Sequence, residues 1–167
     1  MSAPPSQDEA FARIRLLRSP NVGPVSYRQL LARFGNAAAA LEALPDLAGR
    51  SGRAYRVADE ARVQREIAAV RKAGARYLFH DSPEYPPLLA ASEGAPPILT
   101  VRGDPQRALA PCVAIVGARN ASAAAIKLAR DFAAGLADAG FTVVSGLARG
   151  IDPELDLFFI FLSNRVH

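Results

Sequence analysis

The succession "VAIVGARNAS" (113–122), "SAAAIKLARDFAAGLADAG" (122–140) and "FTVVSGLARGID" (141–152) constrains this chain more than any other feature. Four apolar residues running into glycine read as a buried strand that ends in a tight turn. Ser122 then reads as the cap of a helix with Ile126, Ala129, Ala133 and Leu136 as its inward stripe, and Gly140 as its stop. A second apolar run follows at once. A helix between two such strands has the length of a crossover, so the strands are expected to be parallel and the connection right-handed. This is the opening of a doubly wound α/β sheet.

Parallel strands deliver the turns after Val116 and Val144 to one edge, where open α/β sheets bind ligands. The first turn offers Gly117 for close backbone approach, the amides of the helix start, Arg119 and Ser122. The second repeats the device with Ser145, Gly146, Arg149 and Gly150. Amides at a positive helix end, joined by a guanidinium, favour an anion. Two such turns side by side suit a ligand with more than one phosphate. Taken singly, each glycine could be an ordinary turn residue, Arg149 could pair with Asp152, and Arg119 could be a solvated surface group.

No cofactor is expected. A dinucleotide fingerprint would need glycines where Arg119 and Ser122 stand, no acidic residue ends the second strand, and the Walker pattern is absent. Cys112 is the sole cysteine, and His80 and His167 are far apart, so no metal site is expected either. The longest apolar run, "LDLFFIFL" at 155–162, is too short to span a membrane, and the amino end lacks the pattern of a secretory signal. The expected compartment is the cytoplasm.

Upstream, the first 74 residues read as helices joined by short turns. Phe11, Ile14 and Leu17 step at helical intervals. Tyr27, Leu30, Leu31 and Phe34 share a face that Gly35 terminates, and Val63, Ile67 and Val70 mark a helix over 59–73 that ends at Gly74. Short strands are expected at 76–79 and 97–101, with Pro83, Pro86, Pro87, Pro96 and Pro97 excluding a long helix between or beside them. The expected division is therefore a helical module over 1–74 and a sheet-containing part over 75–167. Residues 1–73 hold twelve basic and seven acidic side chains, against eight and nine in the remainder, and only Lys72 and Lys127 of the twenty cations are not arginine. Arginine forks onto phosphate oxygens, but a base-composition bias in the genome would give the same excess.

The two glycine turns and the helix between them resemble the DNA-processing protein A (DprA, or Smf) family. The resemblance extends back through "HDSPEYPPLL" and "APPILTVRGD", similar to that family's proline-rich entry into a Rossmann-like domain. "LRSPNVGPVSYRQLLARFG" resembles its amino-terminal module of sterile-alpha-motif or helix-hairpin-helix type, with Asn21 where the hairpin's first glycine usually stands. The stretch covered is about 10–152.

The resemblance implies a cytoplasmic protein without catalytic activity that binds single-stranded DNA and helps load the RecA recombinase on it during natural transformation, and it is compatible with a homodimer. Its phosphate-holding positions fall on Gly117, Arg119, Ser122, Ser145, Gly146, Arg149 and Gly150. The chain departs from the family where alanines 123–125 replace a glycine, and where "PELDLFFIFLSNRVH" (153–167) stands in place of further strands. That tail leads us to expect a truncated, weakly functional copy with a partial sheet and a tendency to self-associate. The rival reading is a nucleotide-processing enzyme of the lysine-decarboxylase-like or LOG type, with Asp152 or Glu154 as its catalytic acid.

Overall fold

A computed structural model describes residues 4–48, 55–118, 120–145 and the backbone of 160–161. Four helices come first: α1 (Gln7–Arg18), α2 (Pro24–Phe34), α3 (Ala37–Ala48) and α4 (Glu60–Lys72). A hairpin of β1 (Ala75–Phe79) and β2 (Ile98–Arg102) follows, with the short α5 (Pro87–Ala90) in its connection. After a 3-10 turn come β3 (Cys112–Ala114), α6 (Ala123–Asp138), β4 (Thr142–Val144) and β5 (Ile160–Phe161). The fold is of the α/β class.

Local chemistry sets most of these boundaries. The Ser6, Asp59 and Ser122 side chains accept from backbone amides in the first turns of α1, α4 and α6. Gly35 closes α2 in the left-handed region at φ +80°, a conformation that costs a residue with a Cβ about 1–2 kcal/mol. Helix α3 is not among those expected from periodicity and lies in an alanine cluster. Its signal was Asn36, whose side chain accepts from the Ala39 amide at 2.8 Å, while the Glu9 carboxylate accepts from the Ala37 amide at 3.1 Å.

Helix α1 is covered on two sides, so the simple stripe expected for it does not describe its packing. Ala12 and Leu16 join Tyr27, Ala37, Ala40 and Leu44 in a core between α1, α2 and α3. Ile14 instead meets Val63 of α4 and Phe79 of β1. The antiparallel register places Leu78 opposite Leu99 and Phe79 opposite Ile98. Because side chains alternate along a strand, Tyr77, Phe79 and Ile98 face α1 and α4, while Leu78, Leu99 and Val101 pack under Tyr85 and Leu89.

The hairpin is also held to the helices by arginine. The Arg13 guanidinium donates to Glu9 at 2.8 Å and to both oxygens of Asp81, at 2.9 and 2.8 Å. Arg18 grips the Glu66 carboxylate with three hydrogen bonds, and the Tyr77 hydroxyl donates to the same carboxylate at 2.9 Å. Arg28 donates to the carbonyls of Ala95 and Glu93. Part of the amino-terminal arginine excess therefore fastens helices to hairpin.

Strands β3 and β4 pair in parallel, with Cys112 opposite Thr142 and Ala114 opposite Val144. The crossover helix α6 covers them with the expected four residues, Ala133 buried and Ile126, Ala129 and Leu136 half-buried. A second sheet has the order β1-β2-β5, all antiparallel, with Thr100 and Val101 opposite Phe161 and Ile160.

Candidate nucleic-acid interface

The rim at which β3 and β4 end is built by backbone pairing. Beyond the last paired residues, the Ile115 amide donates to the Val144 carbonyl at 2.9 Å, so the two strands stay in step to the start of their turns. Val116 and Gly117 leave one strand as Ser145 leaves the other. Val116 is 86% exposed, an apolar side chain held in solvent beside the turn.

Helix α6 starts at the same rim. The Ser122 hydroxyl accepts from the Ala125 amide at 3.2 Å, and the Ser122 carbonyl accepts from Ile126 at 3.0 Å. As an acceptor to the helix, that hydroxyl keeps its own proton for an anion above it. The amides of Ala123 and Ala124 belong to the first turn, where no preceding helical carbonyl is available to them. Together they form a donor set at the positive end of a sixteen-residue helix.

Ser145 adds a further donor. Its Oγ is buried and finds no hydrogen-bond partner among the described residues, which is costly for a hydroxyl unless something else satisfies it. A cavity of about 660 Å³ lies between β3 and α6, with Val116, Gly117, Asn120, Ser122, Leu128 and Phe132 contributing to its walls. Of the expected phosphate-holding residues, Gly117, Ser122 and Ser145 are thus placed around the ends of two neighbouring strands. Arg119, Gly146, Arg149 and Gly150 lie outside the described residues, as do Asp152 and Glu154 of the rival reading.

The turn between α1 and α2 is where a helix-hairpin-helix would offer free backbone amides to a phosphate. Asn21 adopts φ +60°, the left-handed conformation that asparagine tolerates better than other residues with a Cβ, so it fills the role usual for glycine there. The Gly23 amide, however, donates to the Ser26 hydroxyl at 2.9 Å, and the Val22 amide to the Ser19 carbonyl at 3.2 Å. Both amides are spent on the turn itself. Tyr55 braces the same turn by donating to the Pro20 carbonyl at 2.5 Å.

A family model described as the DprA-like N-terminal HHH domain matches residues 7–69, and one described as DNA recombination-mediator protein A matches residues 76–156. A Synechocystis protein named Smf is 36% identical over 83 residues, which is 47% of this chain and 21% of that protein. The chain belongs to the DprA/Smf family of DNA recombination mediators and spans about a fifth of the length of the Smf relative. Among the described residues, no helix is long and apolar enough to cross a membrane, and no group of histidine, cysteine and carboxylate side chains could hold a metal ion.

Proposed function

We propose that the chain binds single-stranded DNA across the rim where β3 and β4 end, and that in this bound form it helps load RecA on the strand. The observation that carries the reading is the buried Ser145 hydroxyl, unpartnered among the described residues, one residue beyond a strand paired in parallel with the one that leads to the capped start of α6. Phosphates of a single strand would lie on Gly117 and the amides of α6, with Ser122 and Ser145 donating from their hydroxyls. Arg119 and Arg149, with Gly146 and Gly150, would complete the two turns. Contacts to phosphate position a strand without reading its bases, so binding is expected to tolerate any sequence.

No catalytic step belongs to this reading, and the compartment it fits is the cytoplasm. The division into a helical part over 1–74 and a sheet-containing part over 75–167 belongs to it as well, with the β1–β2 hairpin lying against the helices of the first part. A homodimer is compatible with it. The test is affinity for a labelled single-stranded oligonucleotide across a range of salt for the wild type, Arg119→Ala and Arg149→Ala. Each lost phosphate contact should lower the slope of log affinity against log salt by about 0.7. An unchanged affinity and slope in both variants would remove the rim as the site. RecA assembly on the same strand, with and without the chain, tests the second half of the proposal.

A further inference from the structure

Helix α4 divides its charges by face. Its two acidic residues are both taken up by arginines of α1, the exposed Glu60 by Arg15 at 2.6 Å and the half-buried Glu66 by Arg18 at 2.7 Å. Val63 is buried and Ile67 and Val70 are half-buried on that side. On the opposite side Arg62, Arg65 and Lys72 are exposed, and so are Ala61, Ala68 and Ala69 between them, whereas the fourth exposed cation, Arg71, lies beside Ile67 and Val70. At 1.5 Å of rise per residue, the three cations span about 15 Å of helix.

Stability of the helix does not account for this arrangement. Lys72 lies in the last turn, where a cation complements the helix dipole, but Arg62 lies in the first, where a cation opposes it. Arg62 is electrostatically coupled to Glu66, yet that carboxylate is already occupied by the hydrogen bonds of Arg18 and Tyr77. Arg65 and Lys72 make no ion pair or hydrogen bond among the described residues. The alanines leave no bulky side chain to hold a polyanion away from the three positive ends.

We infer that the exposed face of α4 is a second nucleic-acid contact, one that tracks the sugar-phosphate backbone of a DNA strand already held at the β3–β4 rim. The inference rests on the reading of the rim given above. An extended polyanion is the partner that matches several spaced, solvated cations on a rigid rod without apolar anchors, whereas a protein surface would call for buried aromatic or aliphatic contacts that this face lacks. The contact would be sequence-tolerant and salt-dependent.

The test is the triple variant Arg62→Gln, Arg65→Gln, Lys72→Gln, compared with Arg107→Gln, which removes one exposed charge outside α4. Glutamine is a good helix former, and circular dichroism verifies that the helix is retained. Oligonucleotide binding by the triple variant should show a salt slope lower by about 2, from three contacts at about 0.7 each. That loss should exceed three times the loss in Arg107→Gln. A slope no lower than charge loss alone predicts overturns the inference, and if Arg119→Ala and Arg149→Ala still weaken binding, the rim reading survives it. Wild-type protein without salt-dependent binding overturns both. Loss of polyglutamate binding with oligonucleotide binding intact would assign the face to an acidic protein surface and likewise overturn it.

Discussion

The helical part with its hairpin and the β3–α6–β4 unit use their apolar residues differently, and the unit richer in them buries fewer. In the first, α1 is enclosed on two sides and Leu16, Val63, Leu99 and Val101 are fully buried. In the second, the described residues bury only Ala133 and Val143, while Val116, Leu128, Phe132, Phe141 and Val144 stay exposed. A two-stranded parallel sheet is an uncommon object, because parallel strands are ordinarily covered on both faces. The contrast teaches that, among the described residues, the unit bearing the candidate rim has well-formed local structure and little packing of its own, while the helices and hairpin hold most of the buried core.

The largest test of that contrast is Leu16→Ala. Leu16 lies at the centre of the core between α1, α2 and α3, and removing three buried carbons there should cost about 3 kcal/mol, within the usual range for such sites. Denaturant unfolding followed by circular dichroism measures it. A loss below about 1 kcal/mol would mean that the helical core is not the anchor of the molecule.

How much of this was legible in the sequence follows the same division. The β3–α6–β4 unit could be read closely because each step has a local signal: the apolar runs, the Ser122 cap, the four inward residues of α6 and the stop at Gly140. Parallel pairing followed from crossover length alone. The helical part was read less well. Alanine repeats carry little contrast between faces, so α3 was missed, and α1 shows no single stripe because its two buried sides serve different neighbours. The arginines were the least legible of all. Whether Arg13, Arg18 and Arg28 serve DNA or the fold depends on carboxylates and carbonyls distant in sequence, which periodicity does not reveal. At the candidate site, Gly117, Ser122 and Ser145 could be proposed from turn chemistry, but that Ser145 has no partner among the described residues is visible only in three dimensions.

A smaller effect concerns the ion pair that ties α1 to α4 and β1. Burial alone would raise the Glu66 carboxyl, but the hydrogen bonds and charge of Arg18, with the Tyr77 hydroxyl and the Arg62 charge, outweigh it and hold the carboxyl below its ordinary value of 4.5. A depressed folded-state value stabilises the protein above the unfolded value, and the contribution is lost as pH falls through the folded one. Stability should therefore decline as pH drops below about 4.5, and Glu66→Gln should flatten that acid limb while lowering stability at neutral pH. Melting temperatures from pH 7 to pH 3 for both proteins test this. Identical acid limbs would show that Glu66 contributes nothing to the joint. Solvent screening at this half-exposed pair keeps the expected effect below that of Leu16→Ala.

The smallest effect on stability is expected at Phe132, and for that reason it separates the two regions most cleanly. Phe132 is 60% exposed on α6, beside Leu128 and the protruding Val116, on the wall of the cavity next to the rim. A phenylalanine that gives up little surface on folding contributes little to folding, since hydrophobic stabilisation scales with the area removed from water. Phe132→Ser should therefore change the main unfolding transition by less than about 0.5 kcal/mol, the range usual for surface substitutions. The same ring is part of an exposed apolar patch, and patches of that kind drive association. The variant should be less prone to self-association than the wild type, as read by light scattering over a range of concentrations at constant salt. A large loss of stability would mean that the ring is covered in solution and that the β3–α6–β4 unit is better packed than its exposed side chains indicate. Unchanged stability with unchanged association would move the adhesive surface elsewhere on the unit, to the edges of β3 and β4 that are unpaired among the described residues.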